Sequence, residues 1–184
     1  MTCAVDALRA GGVVAYPTEG VYGLGCEPLN ERAVLRVLAL KGRPREKGLI
    51  LIAARYEQLR RFVVEPDAEV MARLRAEWPG PTTWLLPARP DVPSWLTGGH
   101  ASIAVRVTAH PQAAALCTRF GAALVSTSAN PAGRPAARTM LDVRRYFGEG
   151  VDFILPGAVT DPGAGPTEIR DALSNRIVRP RSST

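Results

Sequence analysis

Short apolar runs alternate along this chain with segments of helical periodicity, and this alternation constrains the fold more than any other feature. Residues 49–53 form a continuous apolar run without polar alternation, which is typical of a strand buried on both faces. Asn30 is a good N-cap for a helix from Glu31 to Lys41, whose apolar residues recur along one stripe. The alternation predicts an α/β fold, in which neighbouring elements cover the strands.

The same patterns predict the remaining elements. Helices are predicted at residues 5–10, 56–62, 67–78, 111–120 and 141–147, the last one capped by Thr139. Strands are predicted at residues 13–16, 83–86, 103–107, 123–126, 151–155 and 177–179. The stretch 156–166 is rich in Gly and Pro and is predicted to be a functional loop. Residues 180–184 are predicted to be a frayed tail.

Length and composition indicate an ordinary globular protein. Of the 184 residues, 46% are hydrophobic and 22% are charged, so we expect one domain over residues 1–184, with its core at about 5–179 and a short C-terminal tail. Three widely spaced cysteines without a CxxC motif predict neither a disulfide framework nor a zinc ribbon, and they suit the cytoplasm. No apolar run approaches the roughly 18 residues of a membrane span, so no membrane partner is expected.

The net charge and the absence of common catalytic motifs restrict the ligands and reactions that the sequence predicts. The chain has 23 Lys and Arg against 17 Asp and Glu, a net charge of +6, which favours anionic partners such as nucleotides or RNA. His100 and His110 are the only histidines, and neither has a second ligand at metal spacing, so no protein metal site is predicted. The GxSxG pattern and the Walker A loop are absent from the sequence. A nucleotide would therefore have to bind at a phosphate site of another kind.

Four segments have residues suited to ligand binding, although each one alone has an ordinary structural explanation. Residues 16–25 (YPTEGVYGLG) hold three glycines that let the backbone approach a ligand closely, or that form a tight turn. Residues 41–48 (KGRPREKG) place four cations within seven residues, which suits polyphosphate or a solvated face. Residues 78–84 (WPGPTTW) and 125–133 (VSTSANPAG) are turns with hydroxyl and amide side chains.

Together these segments resemble the YrdC/Sua5 family, and in particular its short bacterial branch. The resemblance runs from about Val5 to Arg179 and rests on a KxR motif and an SxN motif in the family's order, flanked by PTE, WPGP and the AVR of residues 104–106. It implies an open, twisted mixed α/β sheet flanked by helices, with a basic central groove. It also implies that the extra C-terminal domain of Sua5-type relatives is absent.

The resemblance implies a reaction that joins ATP, L-threonine and bicarbonate or CO2 into threonylcarbamoyl-AMP and pyrophosphate. Downstream t6A-transfer enzymes would move the threonylcarbamoyl group onto an adenosine next to the anticodon of tRNA. Mg2+ is the implied cofactor, and we expect ATP phosphates and water to hold most of its coordination sphere because no paired carboxylates form a protein cage.

Residue roles follow from matching the family motifs. The expected catalytic residues are Lys41, Arg43, Ser128 and Asn130, which would hold ATP phosphates and neutralise charge at the attacked phosphorus. The expected ATP-binding set adds Arg45, Thr83 and Arg179. The expected threonine-binding set is Thr18, Arg106, Ser126 and Thr167, with Arg106 on the carboxylate of the amino acid.

The sequence departs from the family at three places, and two other functions stay open. Gly20 stands where relatives often carry Thr or Ala, Ile52 where longer members have His, and Pro131-Ala132 where a residue-Ser pair is usual. One alternative function is an RNA-binding maturation factor that contacts tRNA or double-stranded RNA through the basic groove. The other is a carbamoyl-adenylate domain of the kind found inside longer hydrogenase maturation factors. Dependence on threonine would separate this domain from an enzyme that forms threonylcarbamoyl-AMP.

Overall fold

A nine-stranded mixed sheet forms the centre of the computed structural model, which describes residues 1–181. The order of strands across the sheet is β7-β1-β2-β6-β3-β5-β4-β8-β9. The pairs β1/β7, β3/β5 and β4/β8 are parallel and the other neighbours are antiparallel. The strands are β1 (Val14–Pro17), β2 (Tyr22–Gly25), β3 (Ile50–Ala53), β4 (Thr83–Pro87), β5 (Ser102–Val107), β6 (Leu124–Ser128), β7 (Phe153–Ile154), β8 (Ile169–Asp171) and β9 (Ile177–Arg179).

Six α-helices flank this sheet within the described residues, which confirms the predicted α/β class with a mixed sheet. They are α1 (Thr2–Arg9), α2 (Glu31–Lys41), α3 (Ala68–Glu77), α4 (Ser94–Thr97), α5 (Pro111–Phe120) and α6 (Met140–Phe147). Short 3-10 turns occupy Arg45–Lys47, Tyr56–Gln58 and Gly148–Gly150. Within residues 1–181, no helix combines the length and the apolar character needed to cross a membrane.

Local capping sets the ends of helices α2 and α6. The side chain of Asn30 accepts a hydrogen bond from the amide of Ala33 at 3.1 Å and so begins α2. Gly42, with φ of 58°, ends α2 in the left-handed conformation that glycine adopts without strain. Thr139 and Asp142 form the reciprocal hydrogen bonds of a capping box at the start of α6. The predicted caps at Asn30 and Thr139 are therefore confirmed.

The two faces of the sheet are covered unequally. Side chains such as Leu51, Trp84 and Val105 point to the larger core, which includes residues of α2, α3, α4 and α6. Successive strand residues alternate between faces, so Ile52 and Leu124 point to a smaller core beneath α1 and α5. These two helices pack over β1, β3 and β7. The remainder of that second face carries the residues that line a groove.

The structure corrects several sequence-based predictions. The helix predicted at 56–62 is wrong, because only Tyr56–Gln58 forms a 3-10 turn. The segment that holds β2 was predicted to be a glycine turn, whereas Gly25 is a strand residue where a Cβ would lie 2.3 Å from the carbonyl oxygen of Val125. Helix α4 and strand β8 were not predicted, and the strand predicted at 151–155 shrinks to Phe153–Ile154.

The predicted tail begins outside the regular elements of the fold. Residues 180 and 181 belong to no helix or strand, and Arg181 donates to the carboxylate of Asp161 at 2.6 Å. Residues 182–184 lie outside the described part of the chain.

The predicted loop at 156–166 contains no helix or strand. It packs against Gly20, where a Cβ would lie 2.5 Å from the carbonyl oxygen of Gly165.

Candidate functional site

Three adjoining pockets form a groove on the part of the second sheet face that α1 and α5 leave open. The polar pocket is lined by the predicted residues Thr18, Arg43, Arg106, Ser126, Ser128, Thr167 and Arg179. The apolar pocket is lined mainly by Leu85, Leu96, Ile103, Ala104, Ile169 and Val178. The loop pocket is lined by residues that include Lys41, Lys47, Ser128, Asn130 and Gly133. Arg43 lines all three pockets, so it stands where they meet.

Strand register explains why distant residues meet in the polar pocket. Ile50 of β3 pairs with Ser126 of β6 and with Ala104 of β5. Because side chains two residues apart share a face, Arg106 projects on the same side as Ser126. The site therefore lies across a sheet face.

Arg106 is the most buried cation of the polar pocket. Its residue is only 4% exposed, and its Nη1 donates to Thr167 Oγ1 at 2.9 Å. Its Nη2 lies 3.2 Å from Glu19 Oε2. Its Nε has no hydrogen-bond partner among the described residues, and the same holds for Nε of Arg179. Since buried donors are nearly always satisfied, two unpaired N–H groups beside one pocket point to a ligand with acceptor oxygens.

Glu19 is a buried carboxylate beside Arg106 that the sequence reasoning did not assign, although it stands in the PTE motif. Its Oε1 accepts hydrogen bonds from Thr108 Oγ1 at 2.7 Å and from the amide of Ala109 at 3.1 Å. Burial alone would raise the pKa of Glu19, but Arg106 and these hydrogen bonds outweigh burial and lower its pKa below the usual range. The only sequence signal was a carboxylate between a buried strand and a glycine.

Lys41 binds the SxN segment to the end of α2. Its Nζ donates to the carbonyl oxygen of Ser128, to the carbonyl oxygen of Asn130 at 2.8 Å and to Asn130 Oδ1 at 3.2 Å. Burial, with a smaller effect of the nearby Arg43 charge, lowers the pKa of Lys41 to about 8. Because an ammonium has three donors, protein oxygens can occupy all of them. The KxR and SxN motifs thus form one hydrogen-bonded unit.

Arg43 and Arg179 add two further cations where the polar and apolar pockets join. Nη2 of Arg43 donates to the carbonyl oxygens of Gly48 at 3.0 Å and Lys47 at 3.2 Å. Burial lowers the pKa of Arg43, and burial followed by the charges of Arg43 and Arg106 lowers the pKa of Arg179. Like charges that are desolvated together favour an anion between them.

Two predicted ATP-binding residues lie outside the three pockets. Thr83 is fully buried, and its Oγ1 lies 3.0 Å from Thr167 Oγ1, so it stands behind the pocket wall. The side chain of Arg45 is 53% exposed, and its guanidinium lies 3.9 Å from the carboxylate of Glu31. Neither residue lines the groove. Thr83 can act on a ligand only through Thr167.

The groove has no metal cage built from protein side chains. Within residues 1–181, no three His, Cys, Asp or Glu side chains are grouped closely enough to hold a metal ion. Of the two histidines, His110 caps α5 and contacts the carbonyl oxygen of Ala158, while His100 contacts the carbonyl oxygen of Glu46. A divalent cation in this groove would therefore depend on oxygens of the ligand.

The chain is similar to known proteins over nearly its whole length. The Sua5/YciO/YrdC family model, described as "Telomere recombination", matches residues 6–182. A protein named threonylcarbamoyl-AMP synthase from Nitrosococcus oceani is 57% identical over 176 residues, which cover 96% of this chain and 95% of that protein.

Solved structures show the same fold. Sua5 of P. abyssi, crystallised with L-threonine, superposes with a TM-score of 0.89 and 35% identity over 97% of this chain, which spans 53% of the Sua5 chain. E. coli YciO superposes with a TM-score of 0.85 and 25% identity, covering 98% of this chain and 88% of that one. The predicted resemblance is thereby confirmed, and the chain belongs to the Sua5/YciO/YrdC family.

Proposed function

We propose that this protein is a threonylcarbamoyl-AMP synthase, which forms threonylcarbamoyl-AMP and pyrophosphate from ATP, L-threonine and bicarbonate or CO2. Curated relatives of 51% to 57% identity bear that enzyme name. The observation that carries the proposal is the junction of a polar pocket and an apolar pocket at Arg43 and Arg179. Such a pair of pockets suits an amino acid and a nucleoside that must meet at a phosphate.

The polar pocket is the proposed threonine site. Arg106 supplies the cation for the carboxylate, and its unpaired Nε supports this role. Hydroxyls of Thr18, Ser126 and Thr167 line the same pocket and suit the polar groups of the amino acid. P. abyssi Sua5, a relative of the same fold, was crystallised with L-threonine, which supports L-threonine as the ligand.

The apolar pocket is the proposed site of the adenosine moiety, because aliphatic walls suit a flat aromatic base. Arg43 and Arg179 at its edge, with Lys47, would then neutralise the phosphates. Ser128 and Asn130 in the loop pocket complete the phosphate site, held in place by Lys41. The exposed position of Arg45 gives no support to direct ATP contact, and Thr83 would act by orienting Thr167.

The reaction then depends on positioning more than on acid-base chemistry. The unprotonated threonine nitrogen forms a bond to the carbon of CO2 and loses one proton, which gives a carbamate. A carbamate oxygen attacks the α-phosphorus in line, and the bond from that phosphorus to the pyrophosphate oxygen breaks. Holding the two reactants in register can contribute roughly 7 to 11 kcal/mol in favourable systems. Arg43 would stabilise the charge that develops on the phosphorus oxygens.

Mg2+ is the cofactor we propose, bound through ATP. The described residues do not group into a carboxylate cage, so phosphate oxygens and water would coordinate most of the ion. Bound there, the ion would withdraw charge from the phosphates.

The product would serve the formation of t6A next to the anticodon of tRNA, with downstream t6A-transfer enzymes as partners. We place this reaction in the cytoplasm, because Cys3, Cys26 and Cys117 are free thiols and a reducing compartment preserves them. Contact with tRNA or double-stranded RNA through the cations of the groove is a secondary property that salt-dependent binding would reveal.

Pyrophosphate release tests the proposal directly. The full chain is supplied with ATP, Mg2+ and bicarbonate, with and without L-threonine, and the adenylate is detected by mass. We expect release that requires L-threonine, together with the mass of threonylcarbamoyl-AMP. Absence of release while tRNA still binds would instead support an RNA-binding maturation factor.

A further inference from the structure

Glu19 contacts the threonine-binding arginine from behind the polar pocket. It follows β1 in the turn to β2 and is only 6% exposed. Its Oε1 is occupied by Thr108 and by the amide of Ala109, both of which follow β5. Its Oε2 lies 3.2 Å from Nη2 of Arg106. One carboxylate thus links the turn after β1 to the end of β5.

Arg106 is held from two sides by these contacts. Nη1 donates a hydrogen bond to Thr167, and Nη2 forms an ion pair with Glu19 Oε2, an oxygen that accepts no hydrogen bond in this structure, while Nε has no protein partner among the described residues. A guanidinium is planar, so the hydrogen bond at one terminal nitrogen and the ion pair at the other together orient the third N–H. A buried arginine also needs an opposite charge to offset its desolvation. Glu19 supplies both the charge and the direction.

We propose that Glu19 is a positioning residue for the amino acid substrate, because it holds the Arg106 guanidinium in the orientation that receives the substrate carboxylate. This inference rests on the proposed threonine site. Glu19 is absent from the described residues that line the polar pocket, and its Oε1 already accepts two hydrogen bonds. It is therefore not placed to take a proton from the threonine amine, and it acts through Arg106.

Glu19→Gln tests the inference with little change in volume. The new amide can still accept from Thr108, but it turns an N–H group toward the Arg106 guanidinium, so Arg106 must move. We expect the KM for L-threonine to rise by about tenfold or more, with the KM for ATP changed less than about twofold, since loss of one partner of a buried charge pair weakens binding at that site. The pH profile of kcat should stay that of the unaltered protein.

Direct binding and matched variants separate this inference from the proposed function. Calorimetry of L-threonine without ATP should show the same loss of affinity in Glu19→Gln. Thr108→Val, which removes one hydrogen bond to Glu19, should give a smaller loss of the same kind, and it serves if Glu19→Gln does not fold. Glu149→Gln, an exposed site, should bind threonine normally.

Four results would overturn the proposal or show that the error lies in the proposed function. Unchanged threonine affinity in both Glu19→Gln and Thr108→Val overturns it, and so does a kcat profile whose acid limb shifts, which would make Glu19 a base. If the unaltered protein binds L-threonine but releases no pyrophosphate, the proposed synthase function is wrong. Calorimetry of L-threonine binding then still tests the positioning role of Glu19. If the unaltered protein does not bind L-threonine, both proposals are wrong.

Discussion

Among single residues, the site depends on buried cationic side chains that have few compensating partners. Lys41 is 5% exposed, yet it donates only to uncharged oxygens of Ser128 and Asn130. Arg106, in contrast, has a carboxylate partner in Glu19. Because the Lys41 ammonium is buried without a charged partner, it loses its proton more readily than an ammonium in water.

The Lys41 ammonium gives a pH prediction. Its pKa is lowered from 10.5 to about 8, so the charge is present below pH 8 and is lost as the pH rises through that value. Loss of the charge weakens attraction for the ATP phosphates. We expect kcat/KM for ATP to fall above pH 8 in the unaltered protein.

Lys41→Arg is the matched variant for this measurement. A guanidinium stays charged throughout that range, so its kcat/KM for ATP should be lower overall but should not decline between pH 7.5 and about 9.5. The same decline in both proteins would show that another group causes it.

At the scale of elements, helix caps place the functional loops. Helix α2 delivers Lys41 at its C-terminal end, and Gly42 then turns the chain so that Arg43 reaches the groove. The helix begins where Asn30 caps it, and this boundary was predictable because a cap involves residues three positions apart. Strand β2 was not predictable in this way, since Gly25 is required by contact with the carbonyl oxygen of Val125 on β6.

Asn30→Ala tests the contribution of that cap to stability. Loss of the hydrogen bond to the amide of Ala33 should lower the free energy of unfolding by about 1 kcal/mol. Asn30→Asp keeps an acceptor oxygen and should remain within about 0.5 kcal/mol of the unaltered protein. Urea denaturation measures both. An Asn30→Ala protein as stable as the original would mean that packing alone sets the start of α2.

At the scale of the whole molecule, the polar pocket joins segments from nearly the entire described chain. Thr18 follows β1, Arg106 belongs to β5, Thr167 precedes β8, and Arg179 ends β9. A ligand in this pocket binds the folded chain and has no comparable site in the unfolded one. Ligand binding should therefore stabilise the whole molecule.

L-Threonine should raise the Tm for this reason. At 100 times its Kd, it should add about 2.7 kcal/mol, which corresponds to a shift of about 5 to 10 °C for a chain of this size. L-Valine, which replaces the hydroxyl with a methyl group, should shift the Tm less, and Arg106→Met should remove the shift. An equal shift with L-valine would contradict a role for the pocket hydroxyls in threonine selection.

The α/β class and the helices from Glu31 to Lys41 and from Pro111 to Phe120 could be predicted from the amino-acid sequence. They depend on hydrogen bonds and periodicities that span a few residues, whereas the residues of the KxR and SxN motifs became candidates through the family resemblance. The positions of Thr83 behind Thr167 and of Glu19 beside Arg106 became visible in the folded chain alone. Those contacts join segments far apart in the chain, and sheet register, which no local pattern encodes, brings them together.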